Sequence, residues 1–453
     1  MNEECGVFAG VLFDKNDKII DKAIKSLSNI QHRGIQSCGI CVSFEGKGEI
    51  LLKDKGLVCD VFNSDNIKYI NGNVSIGHVR YSTLNGDLKK NAQPLCAKLN
   101  DDNIYMCHNG HIPGIQIIKN ELSLITDIKF QTQTDSEVVL KKIIFELKKD
   151  NLEVNFENIG KILSEFFNKG AYCLCFLYKN KIFAYRDKYG FRPLWFCETN
   201  DGFFIASEDI AFKEFNINKK IEIMPGYGVE LMLDNFKIKK FDDSVQRKMC
   251  IFEHIYFSHI NSTIFNHSIF EQRKSFGRLI AKKNIQLKSR CDIVVPIVNS
   301  GICAAMGVSQ IFNLPLIFAI LKNKKQNRTF IEIENLRNKK IEQKFKIKKE
   351  LIRDKRILLV DDSLVRGNTA KNIVNKLYKA GAKEIHMLIA SPMLKNTCSF
   401  GVDIRDKNEL IANKFKDINQ LSDELGLDSL CFIDLADIIE LCPKNDYCFD
   451  CFL

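Results

Sequence analysis

Apolar positions in the first half of the chain follow two kinds of pattern. Short runs rich in β-branched and aromatic residues, such as residues 182–185 and 203–206, are bounded by turn residues and predict strands. Apolar residues recur at helical spacing in residues 19–30 and 137–149, which predicts helices. This mixture of strands and helices is typical of an α+β domain.

A polar segment, residues 234–248, is predicted to be a linker to a second half with a different pattern. There a strand, a glycine-bearing loop and a helix follow one another twice, at residues 292–311 and 356–380. The first loop is Asn299-Ser300-Gly301 and the second spans residues 361–369. This succession predicts a parallel α/β domain.

Length and composition agree with two globular domains. A chain of 453 residues exceeds what one hydrophobic core usually organises, which predicts two domains of roughly 200 residues each. The richest apolar stretch, residues 311–321, is short and is interrupted by Asn313 and Pro315, so no membrane partner is expected. The first residues show no secretory signal, so a cytoplasmic location is expected.

The distribution of charges and of cysteines along the chain bears on its partners and on the redox state of its thiols. The net charge of +10 is spread over many lysines without interleaved aromatic residues, which argues against nucleic acid as a partner. Most of the 17 cysteines stand singly in apolar runs, which predicts reduced thiols rather than disulfides. Cys448 and Cys451 differ, because their spacing lets two thiolates meet one metal or cluster.

Cys5 begins the run Cys-Gly-Val-Phe-Ala-Gly, which by itself has the character of a buried core segment. Further runs follow in the order His-Arg-Gly at 32–34, Gly-His-Val-Arg-Tyr-Ser-Thr at 77–83, Asn-Ala-Gln-Pro at 91–94, His-Asn-Gly at 108–110 and Thr-Asp-Ser-Glu at 134–137. Together they resemble the N-terminal-nucleophile glutaminase domain of class II glutamine amidotransferases. The resemblance implies an α+β domain with αββα layers over residues 5–235, preceded by a propeptide, residues 1–4.

In that family the nucleophile is the first residue of the mature chain, here Cys5. A thiol with a pKa near 8.5 is only partly ionised at neutral pH, and a free α-amino group of pKa about 8 on the same residue can act as its base. The family implies the Asn109 side chain and the Gly110 backbone N–H as oxyanion donors, although an Asn-Gly pair also suits a tight turn. Arg80 and Asp135 match the carboxylate and ammonium of substrate glutamine, with a surface ion pair as the alternative for either.

The sharpest motif of the second half is Leu-Leu-Val-Asp-Asp-Ser-Leu-Val-Arg-Gly-Asn-Thr at residues 358–369. It lies where a buried strand ends and a helix begins, the edge at which α/β sheets bind ligands. Backbone N–H groups around Gly367 favour a phosphate, and two adjacent carboxylates suit ribose hydroxyls or Mg²⁺. The absence of a Gly-Lys-Ser/Thr ending rejects a P-loop. The motif resembles the signature of type I phosphoribosyltransferases, which implies an α/β domain with a parallel sheet over residues 250–453.

With the runs at residues 250–257, 271–274 and 328–331, the whole chain resembles the amidophosphoribosyltransferase family. The resemblance implies conversion of glutamine, water and phosphoribosyl diphosphate into phosphoribosylamine, glutamate and diphosphate, which opens purine synthesis. It also implies a homotetramer that purine nucleotides inhibit.

The resemblance also assigns the residues of the second site. It implies Mg²⁺ as a cofactor, with Ser300, Asp361 and Asp362 as its ligands. Lys322 and Arg328 would belong to a loop that closes over the substrate and keeps out water. The residues expected to bind phosphoribosyl diphosphate are Asp361, Asp362, Ser363, Arg366, Gly367, Asn368, Thr369, Lys322 and Arg328.

Cys250 and Cys398 resemble the positions from which one branch of the family, also the branch with a propeptide, draws two further thiolates. With Cys448 and Cys451 they would hold a [4Fe-4S] cluster, although zinc would satisfy four thiolates equally well. A structural or oxygen-sensing role is expected, because no step of the reaction requires electron transfer.

Several positions differ from the family pattern. They are Asn299 for an Asp, Asn368 for a Thr, Lys325 and Asn327 for a Tyr and a Gly, and His111 for an Asn. A phosphoribosyl-diphosphate-binding regulator, or a glutaminase with impaired transferase activity, is therefore the alternative. His108 and His111 are interpreted as structural, because the mechanism assigns neither a role.

Overall fold

The computed structural model describes residues 5–15, 18–44, 48–81, 87–322, 345–402, 404 and 406–453. Two antiparallel sheets form the first domain, with strand orders β11-β9-β10-β1-β4-β2-β3 and β13-β12-β8-β7-β6-β5. In chain order the strands are β1 (Gly6–Leu12), β2 (Ser37–Phe44), β3 (Gly48–Lys55), β4 (Val74–Arg80), β5 (Leu95–Leu99), β6 (Asp102–His111), β7 (Ala171–Tyr178), β8 (Lys181–Arg186), β9 (Trp195–Thr199), β10 (Gly202–Ala206), β11 (Ile217–Glu222), β12 (Tyr227–Leu231) and β13 (Phe236–Lys240).

The two sheets face each other and helices cover their outer faces. Apolar side chains of β1, β6 and β7 pack between the sheets, including Val7, Cys107 and Cys175. The helix Ile19–Asn29 packs on the first sheet. Three helices pack on the second, Ile115–Ile125, Asp135–Lys149 and Phe156–Phe166. The expected αββα layers are therefore confirmed.

Predicted and observed elements of this domain agree except in the segment expected to link the domains. The helices predicted at 19–30 and 137–149 are present, and the predicted strands lie within β8 and β10. The linker prediction is wrong at its start, because residues 236–240 form β13. Phe236 and Ile238 pack against the core between the sheets while Lys237 is exposed, so alternation makes this lysine-rich segment an edge strand.

The second domain is built on a parallel four-stranded sheet with the order β17-β20-β21-β22. Its strands and the short ones around it are β14 (Met249–Cys250), β15 (Thr263–Ile264), β16 (His267–Ser268), β17 (Ile293–Pro296), β18 (Ile320–Lys322), β19 (Phe345–Ile347), β20 (Arg356–Asp361), β21 (Glu384–Ile389), β22 (Ser429–Phe432) and β23 (Tyr447–Cys448). The strands β17, β20 and β21 are nearly all buried, as expected of a parallel sheet covered on both faces.

Helices cover both faces of this sheet. Ile269–Lys283 and Ile302–Phe312 pack on one face, and Asn368–Lys379 and Ile418–Leu425 on the other. A shorter helix, Leu435–Leu441, adds to the first core. The α/β prediction is confirmed, but the predicted loop 361–369 is too long, since Gly367 with φ 75° already caps the helix that begins at Asn368.

Two general findings apply to the described part of the chain. No helix there has the length and apolar character needed to cross a membrane. No disulfide joins the cysteines there, and most of their side chains are buried.

Candidate active sites

Cys5 immediately precedes the buried strand β1, in the middle of the first sheet. Its side chain is half-buried, and its thiol donates a hydrogen bond of 3.8 Å to the carbonyl of Tyr81. The Nε of Arg33 donates a 2.9 Å hydrogen bond to the carbonyl oxygen of Cys5 itself. The expected propeptide, residues 1–4, lies outside the described residues.

Asn109 and Gly110 lie at the end of β6, close to the start of β1. The Nδ2 of Asn109 donates to the Ser207 hydroxyl at 3.4 Å, and the backbone N–H of Val7 donates to the same oxygen at 3.0 Å. Gly110 has a φ of 147°, and a Cβ there would lie 2.0 Å from the carbonyl oxygen of Ala171. Asn109-Gly110 is therefore not a free turn but part of the packed strand beside the nucleophile.

Arg80 ends β4, next to β1, and is almost completely buried. Its NH1 has no hydrogen-bond partner within the described ranges. Burial lowers the pKa of Arg80, while the charges of Cys5 and Asp135 act in the opposite direction. A buried guanidinium nitrogen without a hydrogen-bond partner is unfavourable unless a ligand supplies one. A carboxylate of a bound ligand would be a suitable partner.

Asp135 begins the helix Asp135–Lys149, where carboxylates are favoured by the helix dipole. It accepts hydrogen bonds from the backbone N–H groups of Ile112 at 3.0 Å and Ser136 at 2.8 Å. His111 Nδ1 lies 3.4 Å from its Oδ2. Burial alone would raise the pKa of Asp135, but the His111 hydrogen bond and the charges of His108 and His111 hold it well below its ordinary value. Asp135 is therefore a carboxylate that can receive an ammonium group.

The role of His111 is the main feature that the sequence did not reveal. The sequence predicts a structural role for His111, and the structure places its Nδ1 against the predicted ammonium-binding carboxylate of Asp135. Sequence spacing carries no signal for this pair, because a turn and a helix separate positions 111 and 135. His108 is buried and donates or accepts a 3.0 Å hydrogen bond with Ser136, and burial lowers its pKa.

In the second domain the acidic pair lies at the carboxyl end of β20. Asp361 accepts from the Ser300 hydroxyl at 3.4 Å and from the N–H of Asp362 at 2.9 Å, and Asp362 accepts from Ser363 at 2.7 Å. Burial, and then the charge of Asp362, raise the pKa of Asp361 well above its ordinary value. Two buried adjacent carboxylates gain most from a nearby cation, so Ser300, Asp361 and Asp362 are chemically suited to Mg²⁺.

The expected phosphate cradle follows this acidic pair. Gly367 has a positive φ, and a Cβ there would lie 2.2 Å from a side-chain atom of Ile411, so only glycine fits. Asn368 and Thr369 form the first turn of the helix, where backbone N–H groups are available to an anion. Arg366, by contrast, forms an ion pair with Glu409, with its Nε 2.9 Å from the carboxylate.

The expected closing loop lies mostly outside the described residues. Lys322 ends β18 and is exposed. Arg328, with Lys325 and Asn327, falls in the range 323–344, of which the structure describes nothing.

The four cysteines expected to hold a cluster line one cavity. Parallel pairing of β14 with β23 places Cys250 beside Cys448, and Cys398 and Cys451 complete the lining. The cavity volume is about 50 Å³, several times the 10–15 Å³ that one ordered water needs on the same measure. Burial raises the pKa of Cys448 to about 12. Within the described residues, no three His, Cys, Asp or Glu side chains lie close enough to hold a single ion.

Comparison with known proteins agrees with this two-site arrangement. Residues 78–214 match the glutamine amidotransferase domain family and residues 264–414 the phosphoribosyl transferase domain family. Amidophosphoribosyltransferase of Methanocaldococcus jannaschii is 33% identical over 99% of this chain and 96% of its own length. The chain belongs to the amidophosphoribosyltransferase family.

Other amidophosphoribosyltransferases match over the same extent. The enzyme of Pyrococcus horikoshii is 34% identical over 100% of this chain and 96% of its own length. Among solved structures, the glutamine phosphoribosylpyrophosphate amidotransferase of B. subtilis complexed with ADP and GMP has a TM-score of 0.86 at 28% identity. It covers 99% of this chain and 96% of that one, so the family fold applies to both domains.

Set against this family, the structure brings together most of the residues predicted for each site. Cys5, Arg80, Asn109, Gly110 and Asp135 lie around the ends of β1, β4 and β6. The acidic pair, Ser300 and the Gly367 turn lie at one edge of the parallel sheet. Arg366, which is predicted to bind the substrate, forms an ion pair with the carboxylate of Glu409.

Proposed function

We propose that this chain converts glutamine, water and phosphoribosyl diphosphate into phosphoribosylamine, glutamate and diphosphate, the first committed step of purine synthesis. The observation that carries the proposal is the presence of both sites in one chain whose whole length matches amidophosphoribosyltransferases. A glutaminase alone would not need the acidic pair and the glycine turn of the second domain.

In the proposed glutaminase half-reaction, removal of residues 1–4 frees the α-amine of Cys5. That amine takes the thiol proton, and the sulfur attacks the side-chain amide carbon of glutamine. Asn109 and the N–H of Gly110 stabilise the oxyanion, and the amine returns the proton to the departing ammonia. Water then hydrolyses the thioester left on Cys5, which releases glutamate and restores the thiol. Arg80 and Asp135 hold the substrate carboxylate and ammonium, which fixes the amide relative to the thiol.

In the proposed transferase half-reaction, ammonia attacks the anomeric carbon of the ribose and diphosphate leaves. Backbone N–H groups from Gly367 to Thr369 would bind the 5-phosphate. Ser300, Asp361 and Asp362 would hold Mg²⁺, which supplies positive charge against the leaving diphosphate when bound. Lys322 lies at the edge of the segment proposed to close over this site.

We further propose that Cys250, Cys398, Cys448 and Cys451 hold a [4Fe-4S] cluster. The proposal rests on the four thiols lining one cavity, since cysteine thiolates are the ligands of iron-sulfur clusters. Iron and sulfide analysis of anaerobically purified protein tests the assignment, and zinc alone would refute it.

Purine nucleotides are proposed inhibitors, since a structural relative binds ADP and GMP. A homotetramer in the cytoplasm is the proposed assembly and location, and native mass measurement tests the former.

The decisive experiment measures glutamate and diphosphate together in the purified, processed protein. We expect glutamate release to rise when phosphoribosyl diphosphate and Mg²⁺ are added, with diphosphate formed in step. A rate of glutamine hydrolysis that does not change with phosphoribosyl diphosphate, together with no diphosphate formation, would contradict the proposal. That result would favour a glutaminase with an impaired transferase half.

A further inference from the structure

A buried ion network crosses the boundary between the two domains directly behind Cys5. Its centre is Arg33, whose side chain is fully buried. The Nε of Arg33 donates to the carbonyl oxygen of Cys5 at 2.9 Å, and its NH1 donates to Glu208 at 2.6 Å. Its NH2 and NH1 donate to the two oxygens of Glu253 at 2.9 and 3.1 Å, in a bidentate fork. One guanidinium therefore binds the nucleophile's backbone and a carboxylate of each domain.

Both carboxylates of the network contact the second domain. Glu208, although it belongs to the glutaminase domain, accepts hydrogen bonds from the N–H of His259 at 2.8 Å and the hydroxyl of Ser262 at 2.6 Å. Glu253 comes from the transferase domain and is completely buried. Glu208 pairs with Arg33 within the glutaminase domain, whereas the bidentate partner Glu253 is supplied only by the transferase domain.

Glu253 also begins an element that leads to the second site. Residues Glu253–Phe257 form one π-helical turn, a rare conformation that often occurs at functional sites. Arg273 holds the turn by donating to the carbonyls of His254 at 2.7 Å and Ser258 at 2.8 Å. Tyr256, within the turn, is half-buried, and burial followed by the charges of Asp362 and Asp361 raises its pKa.

We propose that Glu253 is a positioning residue for the glutaminase nucleophile, acting from the transferase domain through Arg33 on the carbonyl of Cys5. This inference rests on the proposed function of Cys5. Fixing that carbonyl fixes the Cys5–Gly6 peptide plane and so anchors the Cα that carries the thiol and the α-amine. Without the Glu253 carboxylate, Arg33 loses its bidentate partner and the nucleophile loses its orientation.

The chain offers a matched control in Glu222. Glu222 belongs to the glutaminase domain, its side chain is largely buried 3.1 Å from Arg186, and it also crosses the boundary by accepting from the N–H of Phe265 at 2.7 Å. Its carboxylate accepts from Arg186 and Phe265, whereas the Glu253 carboxylate accepts from Arg33. Glu253→Gln and Glu222→Gln therefore each remove one charge at the domain boundary. Only Glu253→Gln removes a partner of Arg33, which binds the carbonyl of Cys5.

The test compares three rates in the processed enzyme: glutamine hydrolysis, phosphoribosylamine formation with external ammonia, and alkylation of Cys5 by iodoacetamide followed by peptide mass. For Glu253→Gln we expect the kcat of glutamine hydrolysis to fall at least tenfold and the Cys5 alkylation rate to change at least fivefold. The ammonia-dependent rate should stay within twofold of wild type. For Glu222→Gln all three rates should stay within twofold.

Three outcomes would overturn the inference: unchanged glutamine hydrolysis in Glu253→Gln, an equal loss in Glu222→Gln, or a parallel loss of the ammonia-dependent rate. The last two would indicate general loosening of the domain boundary. Failure of the proposed function is distinguishable, because it would appear as absent diphosphate formation in the wild-type enzyme. The alkylation rate of Cys5 reports on its positioning even then.

Discussion

Gly110→Ala isolates the contribution of the oxyanion site. The added Cβ would lie 2.0 Å from Ala171 O, 2.7 Å from Ala171 C and 2.9 Å from Tyr172 Cα, all backbone atoms of the neighbouring strand β7. A Cβ contact below 3.0 Å is essentially never seen, so the two strands must separate by about 1 Å at this point. No side chain can move aside to relieve the contact.

The magnitude follows from the tolerance of oxyanion binding. Donors act at 2.7–3.1 Å from the developing charge, so a displacement of about 1 Å removes the Gly110 N–H from range. Loss of one such donor costs about 2.7–4 kcal/mol, or about 10²–10³ in kcat. We therefore expect glutamine hydrolysis to fall by that factor, while phosphoribosylamine formation from external ammonia is retained.

Gly114→Ala is the matched control. Gly114 also has a positive φ, 72°, but a Cβ there would meet nothing within 4 Å. Only backbone strain of about 1–2 kcal/mol is introduced, at a helix start four residues away. Steady-state assays of glutamine hydrolysis, and of phosphoribosylamine formation from external ammonia, compare the two variants with wild type. Glutamine hydrolysis by Gly110→Ala within threefold of wild type, or an equal loss in Gly114→Ala, would refute the reasoning.

Three further predictions concern stability, the second site and the cavity lined by cysteines. Burial lowers the pKa of His78 from 6.5 to about 3. The unfolded chain therefore binds more protons than the folded chain below about pH 6.5, and stability falls as the pH falls, by about 2 kcal/mol between pH 6.5 and 4.5. Urea unfolding of His78→Gln should show a smaller shift in midpoint over this interval, and an unchanged shift would contradict the assignment. Asp361→Asn should abolish diphosphate formation. It should also raise the Tm of the magnesium-free protein by a few degrees, because a buried carboxylate is removed. A lower Tm by calorimetry would count against this prediction. Cys451→Ser should lower the bound iron and sulfide per chain, whereas Cys442→Ser, also a buried thiol but not lining the cavity, should leave both unchanged.

Much of the fold was predictable because its elements are local. The helix Ile302–Phe312 and the strand β20 are found within one residue of the predicted bounds, since apolar runs bounded by glycine-bearing turns define them. The strand β13 was missed because its three lysines make it more polar than a typical strand. Its assignment depends on the neighbouring strand β12, which supplies hydrogen bonds that no local pattern reveals.

The candidate sites show the same division. The motifs around Cys5, Asn109 and Asp361 identified the chemistry, because the reacting groups must be specific residue types at specific turns. The pairing of His111 with Asp135 was not predictable. Nor was the ion pair of Arg366 with Glu409, and the predicted role of Arg366 in substrate binding stays a prediction.

By itself, the sequence determined the two domain types, the nucleophile, the acidic pair and the glycine turn, since each depends on residue identity and local backbone conformation. Only the tertiary structure decided which polar groups meet. Arg33 and Glu253 are 220 positions apart, and no periodicity relates them. Their contact arises because two independently patterned cores dock and bury both side chains at the same point, where an unpaired charge would be costly. Local propensity shapes each element, but the burial of complementary charges between domains specifies how the two sites are joined.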